Sequence, residues 1–237
     1  MDKIDSILEK IFSNIKYGYR LRFFLREKII HNESLYLKYS RLKYPDATVC
    51  KETDITIEGY MRSGNTFSYY AFKNLNPKLK IANRRHSNVQ IKYSLRNGIP
   101  VILLIRDPLD VITSNYIFFD QKVPFEKIAK SWINFYEPLL IHKNDLVVSD
   151  FYKTINEFDY LVLNVNKFYK TNFFYKKINE QLIFDDIKKN QPIKNFQKLP
   201  MPNEQTKKSK EHLKKQFLKQ NDYTIEKCFA VYNKFIN

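Results

Sequence analysis

Glycine and cysteine are both scarce in this chain. Four glycines in 237 residues exclude a Gly-rich linker and make each glycine informative, because glycine alone takes left-handed backbone without steric cost. Two cysteines, Cys50 and Cys228, lie far apart and show no metal-ligand spacing. That excludes a disulfide scaffold and predicts free thiols in a reducing, cytoplasmic compartment. No apolar run reaches the roughly 18 residues that mark a membrane helix, and charges interrupt the N-terminal segment every few positions, so neither a span nor a secretory signal is expected. Internal repeats are absent as well.

Apolar mass and positive charge are plentiful. With 43% apolar residues the chain can bury a sizeable core, enough for a single domain over 1–237 with a helical N-terminal region over 1–50 and a helical tail over 203–237. Lysine and arginine total 41 against 25 acidic residues, a net charge of +16, which concentrates anionic partners around the protein. Nucleic acid, anionic membranes and small anions would all respond to that field, so charge alone selects none of them. Ile4, Ile7, Leu8, Ile11 and Ile15 recur at helical intervals. They predict an amphipathic helix between Ile4 and about Ile30 that packs on its own domain or makes a weak peripheral membrane contact.

"DITIEGY" alternates β-branched residues before a glycine, "IPVILLIRD" is almost wholly apolar, and "DLVVSDF" is a third short run of this kind; each predicts a strand. Helices are predicted from Thr66 to Leu75, Asn88 to Asn97, Leu109 to Phe119 and Phe125 to His142. A further apolar stripe runs through Ile155, Phe158, Leu161, Val162, Val165 and Phe168. Strands alternating with helices imply an α/β fold with a central parallel sheet covered on both faces, three layers in all. After the turn "LPMPNEQ", the tail predicts two more helices.

Two of the four glycines, Gly59 and Gly64, fall within "EGYMRSGNTFSYYAF". Placed between a strand and a helix, this segment has the spacing of a phosphate-binding loop, but Asn65 stands where a nucleotide-binding lysine would be. The helix N-terminus favours an anion, Gly64 permits a tight turn, Ser63 and Thr66 carry hydroxyl donors, and Arg62 adds a permanent charge. The same residues would also serve as a capped turn. In "VILLIRDPLDVITSNY", Asp107, Pro108 and Asp110 are explained by helix initiation. Arg106 is not, and it falls at the carboxyl end of a strand, the edge where open α/β sheets bind ligands.

Taken together, these stretches resemble the sulfotransferases that use 3′-phosphoadenosine 5′-phosphosulfate, in particular compact bacterial-type members. "MRSGNTF" matches the family's first loop with Met61 in place of its proline, and Arg106, Asp107, Pro108, Asp110 and Ser114 match its second motif without a gap. The resemblance implies a fold like that of the P-loop nucleotide hydrolases. It assigns Arg62, Ser63, Gly64, Asn65 and Thr66 to the 5′-phosphosulfate, Phe67 to a place near the adenine, and Arg106 and Ser114 to the 3′-phosphate. His86 becomes the general base, with Arg62 and Arg84 assisting; no metal is expected. The implied acceptor is a hydroxyl, on a saccharide or glycan, and no nucleic-acid partner is implied. The glycine-rich closing motif of members acting on small phenols is missing, since no glycine follows Gly98; the lysines of "PNEQTKKSKEHLKK" are the alternative source of cations. Two other readings stay open: a kinase-like phosphotransferase, which would bind ATP with magnesium, and a basic module binding polyanions without catalysis.

Overall fold

The computed structural model describes residues 32–190, 204–218 and 223–237; the N-terminal amphipathic segment lies outside them. Four strands, β1 (Ile55–Gly59), β2 (Ile81–Asn83), β3 (Val101–Ile105) and β4 (Val147–Asp150), form a parallel sheet in the order β2-β1-β3-β4. Around it lie α1 (Glu33–Lys43), α2 (Asn65–Leu75), α3 (Asn88–Arg96), α4 (Pro108–Phe118), α5 (Phe125–Tyr136), α6 (Phe151–Asn156), α7 (Phe158–Tyr169), α8 (Glu180–Asn190), α9 (Glu204–Leu218) and α10 (Tyr223–Ile236).

The apolar run of β3 is buried on both sides. Val101, Leu103 and Ile105 join one core with Ile91 of α3, Ile112 of α4, Trp132 of α5 and Val231 of α10. Ile102 and Leu104 join Ile55 and Ile57 in the opposite core, against Phe72 of α2, Val162 of α7 and Ile187 of α8. Period-two alternation thus divides one strand between two apolar layers, an arrangement compatible with the expected α/β/α layering. No described helix is long and apolar enough to cross a membrane.

Four features differ from the sequence reading, one of them α8, which forms in a stretch where no helix was predicted. The helix predicted to reach His142 stops at Tyr136 and continues as a 3-10 segment, Glu137–Asp145; Pro138, without an N–H and with a ring that crowds the preceding turn, ends the α-helical ladder. The stripe from Ile155 to Phe168 is shared between α6 and α7, which break at Glu157 (φ −130°, ψ 41°). Strand β2 was not foreseen, because three residues, Ile81 to Asn83, are too few to establish a period. The two predicted tail helices are present as α9 and α10.

Strand order decides where a ligand could approach. α2, which follows β1, packs on one face of the sheet, while α4, which follows β3, packs on the other, although β1 and β3 are neighbours. The chain therefore leaves these two strand ends in opposite directions and opens a crevice at their carboxyl edge, the usual ligand position in open α/β sheets. Gly59 sits at that edge, and a Cβ there would lie 2.3 Å from the Leu104 carbonyl oxygen. Gly59→Ala should lower unfolding stability by about 3 kcal/mol through overpacking against backbone. Gly98→Ala, at φ 66° in open space, should cost only about 1–2 kcal/mol for its left-handed backbone. Urea midpoints of the two variants check the order; equal midpoints would mean that β1 and β3 are not so closely apposed.

Candidate functional site

β1 and β3 stay paired up to Gly59 and Leu104. Beyond that point the hydroxyl of Tyr136, at the end of α5, enters between them. It accepts from the Tyr60 N–H at 3.1 Å and donates to the Leu104 carbonyl at 2.7 Å. A buried phenol so replaces the next rung of the ladder and satisfies both backbone groups where the strands part. Burial holds the phenol well above its ordinary pKa, so it stays neutral and able to donate. The Ser63 hydroxyl lies 3.3 Å from it.

The loop from Tyr60 to Gly64 begins at this point. Left-handed backbone at Arg62 (φ 71°) and Gly64 (φ 94°) folds it back before α2, the kind of turn that gathers backbone N–H groups into an anion-binding concavity. Gly64 is the N-cap of α2 and supplies no side-chain cap, so the first-turn N–H groups keep their partial positive charge toward the crevice. The β3–α4 unit clamps the loop from the other side. Asn115 donates to the Met61 carbonyl at 3.1 Å, Arg106 Nη1 to the Arg62 carbonyl at 3.3 Å, and Arg62 Nε to Ser114 Oγ at 3.1 Å.

Two guanidinium groups are therefore brought together from motifs 44 residues apart. Arg106 also donates to Asp110 at 3.2 Å and stacks 4.0 Å from the ring centre of Phe151, while its Nε is buried without a partner. Burial, and then Arg106, push Arg62 down to about 10. α9 adds more cations. Lys214 pairs with Asp110, and burial, followed by repulsion from Arg106 and Arg62, pushes Lys210 down to about 8. Burial raises the Asp110 carboxyl, but Lys214 and Arg106 more than offset this and hold it below the ordinary carboxylate range. The nearby carboxylates gather at Lys214, which Asp110 and Glu211 contact and on which Asp107 acts, while Arg62, Arg106 and Lys210 repel one another, so the crevice favours an anion.

Compared with models of known protein families and with curated proteins, the chain matches none.

His86 lies on the β2 side of β1. Its Nδ1 is 3.0 Å from the Gly59 carbonyl oxygen, a contact that only an N–H can make favourably, so the neutral ring carries its proton on Nδ1 and Nε2 is the basic nitrogen. Its backbone is left-handed (φ 52°). The Arg85 and His86 N–H groups donate to the two carboxylate oxygens of Glu58 at 2.7 and 2.9 Å. Glu58 is fully buried on β1, and burial pushes its carboxyl up to about 7 despite these bonds and one from Gln90. Arg84 donates to Asn83 at 2.6 Å and lies 4.3 Å from the ring centre of Tyr69, beside α2 rather than with the Arg62 and Arg106 pair.

Of the residues singled out in the sequence, Arg62, Arg106, Ser114 and Gly64 meet at the crevice, and half-buried Thr66 lies in the first turn of α2. The Ser63 side chain faces inward to Tyr136. Asn65 donates back to the Tyr60 carbonyl at 3.0 Å, leaving its Oδ1 buried and unpartnered. Phe67 is 3% exposed and packs against Phe158 and Phe184, so it belongs to the core and has no open face for a stacked base. Asp150 caps α6 and accepts from Tyr232 at 2.8 Å, so both of its oxygens are engaged in structure.

Glu58, Asn115, Phe151 and Lys210 were missed individually. Glu58 alone left a signal, a charged residue within an otherwise apolar strand.

Two outcomes follow from this geometry. Tyr136→Phe removes one hydroxyl that serves two buried backbone groups and should cost about 2–3 kcal/mol in denaturant titration. Lys210 in the folded protein gains its charge only as pH falls through about 8, whereas in the unfolded chain it titrates near 10.5. Protonation beside Arg62 and Arg106 therefore costs stability, fully below pH 8 and decreasingly from there to the unfolded value, and a bound anion offsets that cost. Sulfate, whose charge is constant over this range, should bind more weakly as pH rises from 7 to 9. Lys210→Met should remove that step and weaken binding at pH 7 by about tenfold, the scale of one charged hydrogen bond; calorimetry showing no pH step in the unsubstituted protein would refute this.

Proposed function

We propose that the chain is a sulfotransferase of P-loop-like α/β fold, which moves a sulfuryl group from 3′-phosphoadenosine 5′-phosphosulfate to an acceptor hydroxyl, on a saccharide or glycan, in the cytoplasm. The observation that carries the reading is the meeting of the two motifs: Arg62 Nε on Ser114 Oγ at 3.1 Å and Arg106 on the Arg62 carbonyl at 3.3 Å. An anion with two separate charged groups suits this donor set, since the uncapped α2 N-terminus and the arginine pair are adjacent but distinct cationic features. The buried Arg106 Nε without a partner is a donor consistent with the same fit.

When bound, the donor would supply the activated sulfuryl group and a bisphosphate leaving group. The chain's own residues would do the rest. Arg62 and the first-turn N–H groups of α2 would stabilise negative charge as it develops toward the leaving phosphate. Arg106, Ser114 and Lys210 would hold the second phosphate. His86 would take the acceptor proton at Nε2, while its Nδ1–H stays on the Gly59 carbonyl and fixes the ring. Phe67 has no role in this scheme, and Arg84 flanks the site over Tyr69.

Thermal unfolding with 3′-phosphoadenosine 5′-phosphate tests the reading. At about 100 times its dissociation constant a ligand adds roughly 2.7 kcal/mol, a visible rise in Tm that should shrink on Arg106→Ala. Stabilisation by ATP with magnesium alone would favour a kinase-like phosphotransferase. Binding only to long polyanions, lost at moderate salt, would favour the non-catalytic module.

A further inference from the structure

β1 reaches the His86 segment twice, from consecutive residues. The Gly59 carbonyl accepts from the ring at Nδ1, and the Glu58 side chain accepts from the backbone N–H groups of Arg85 and His86. The chain is left-handed at Arg84 (φ 52°), just before these contacts, and at His86 (φ 52°), within them, an unfavourable conformation for residues with a Cβ, which persists only where its surroundings over-determine it. Gln90 of α3 donates to Glu58 Oε1 at 2.8 Å and accepts from the Val49 N–H at 2.6 Å, so the carboxylate is itself anchored. The Arg85 charge favours the ionised acid from a distance but makes no direct contact with it. Its guanidinium lies 3.5 Å from the ring centre of Tyr44, and no described ion pair joins it to Glu58.

A buried carboxylate is an expensive way to fill a sheet position that an apolar residue could occupy. What it adds is two acceptor oxygens on one rigid group, able to take two successive peptide N–H groups that point the same way. We propose that Glu58 is the positioning residue for His86, holding its backbone in the left-handed turn that lets the ring reach the Gly59 carbonyl and keep its proton on Nδ1. Glu58 reaches no ligand itself and acts through the histidine. The link to catalysis rests on the sulfotransferase reading; the positioning does not.

Glu58→Gln is the test. The amide is isosteric but can present only one oxygen, so one of the two N–H groups would face an NH2. Three measurements are taken on the full chain. Nitrogen-15 NMR of the His86 ring should show the Nδ1–H tautomer in the unsubstituted protein and a mixture with Nε2–H in the variant. The Tm shift with 3′-phosphoadenosine 5′-phosphate should stay unchanged, because Arg62 and Arg106 are held from β3 and α4. Sulfuryl transfer should fall by roughly a hundredfold in kcat with the donor KM unaltered, the scale expected when a reacting group is misplaced by about an ångström. A His86 tautomer and kcat both unchanged would overturn the proposal, as would loss of bisphosphate binding in parallel with kcat, which would mark Glu58 as merely structural. If the unsubstituted protein transfers no sulfuryl group but the ring signal still moves in E58Q, the positioning role stands and the sulfotransferase reading falls. Should E58Q not fold, Glu58→Asp keeps the charge, shortens the reach by one methylene and predicts the same change in the ring signal.

Discussion

The parting of β1 and β3 at Gly59 is the constraint on which the candidate site depends. Two parallel strands can diverge only if the backbone groups released at the fork find other partners, since buried amides left unmatched would cost more than the crevice is worth to the fold. A single phenol resolves this, with Tyr136 accepting from one strand and donating to the other. Gly59 supplies the complementary condition, because its missing side chain lets β1 approach β3 until the last paired rung. Close approach followed by a satisfied fork defines the start of the loop, and the loop places Arg62.

Positive charge is then collected at a position where the protein must hold it against repulsion. Burial, and then Arg106, depress Arg62, and Lys210 is brought to the same place from α9. Asp110 moderates the field through Arg106 and Lys214 but does not cancel it. Mutually repelling cations beside a helix start with no side-chain cap would be stabilised by an anion, the kind of fixed field that electrostatic preorganisation requires. On the other side of β1, Glu58 and the Gly59 carbonyl hold the histidine segment, so the end of one strand anchors both the loop that carries Arg62 and the turn that carries His86.

Much of the local structure was legible in the chain itself. Three strands were visible in their apolar runs, and Asp107, Pro108 and Asp110 announced the start of α4. Arg106 stood out because helix initiation did not account for it. The failures have specific causes: β2 was too short to show a period, Pro138 ended α5 sooner than its apolar spacing suggested, and Phe67 looked like a ligand residue only because the motif around it did. The tail lysines could be seen as a charged face, but which of them turns toward Arg106 depends on how α9 docks.

Residue types and their spacing by themselves determined the alternation of strand and helix, the caps, the tight turn at Gly64 and the presence of arginines at two strand ends, because these follow from interactions within a few residues. Only the tertiary structure decided that β1 and β3 are neighbours, that Tyr136 closes the fork between them, that Lys210 completes the cationic group and that Glu58 grips the His86 turn. Parallel pairing and helix docking join residues tens of positions apart. The free energy that selects them comes from burying two apolar layers at once, a property of the folded whole that no local window contains.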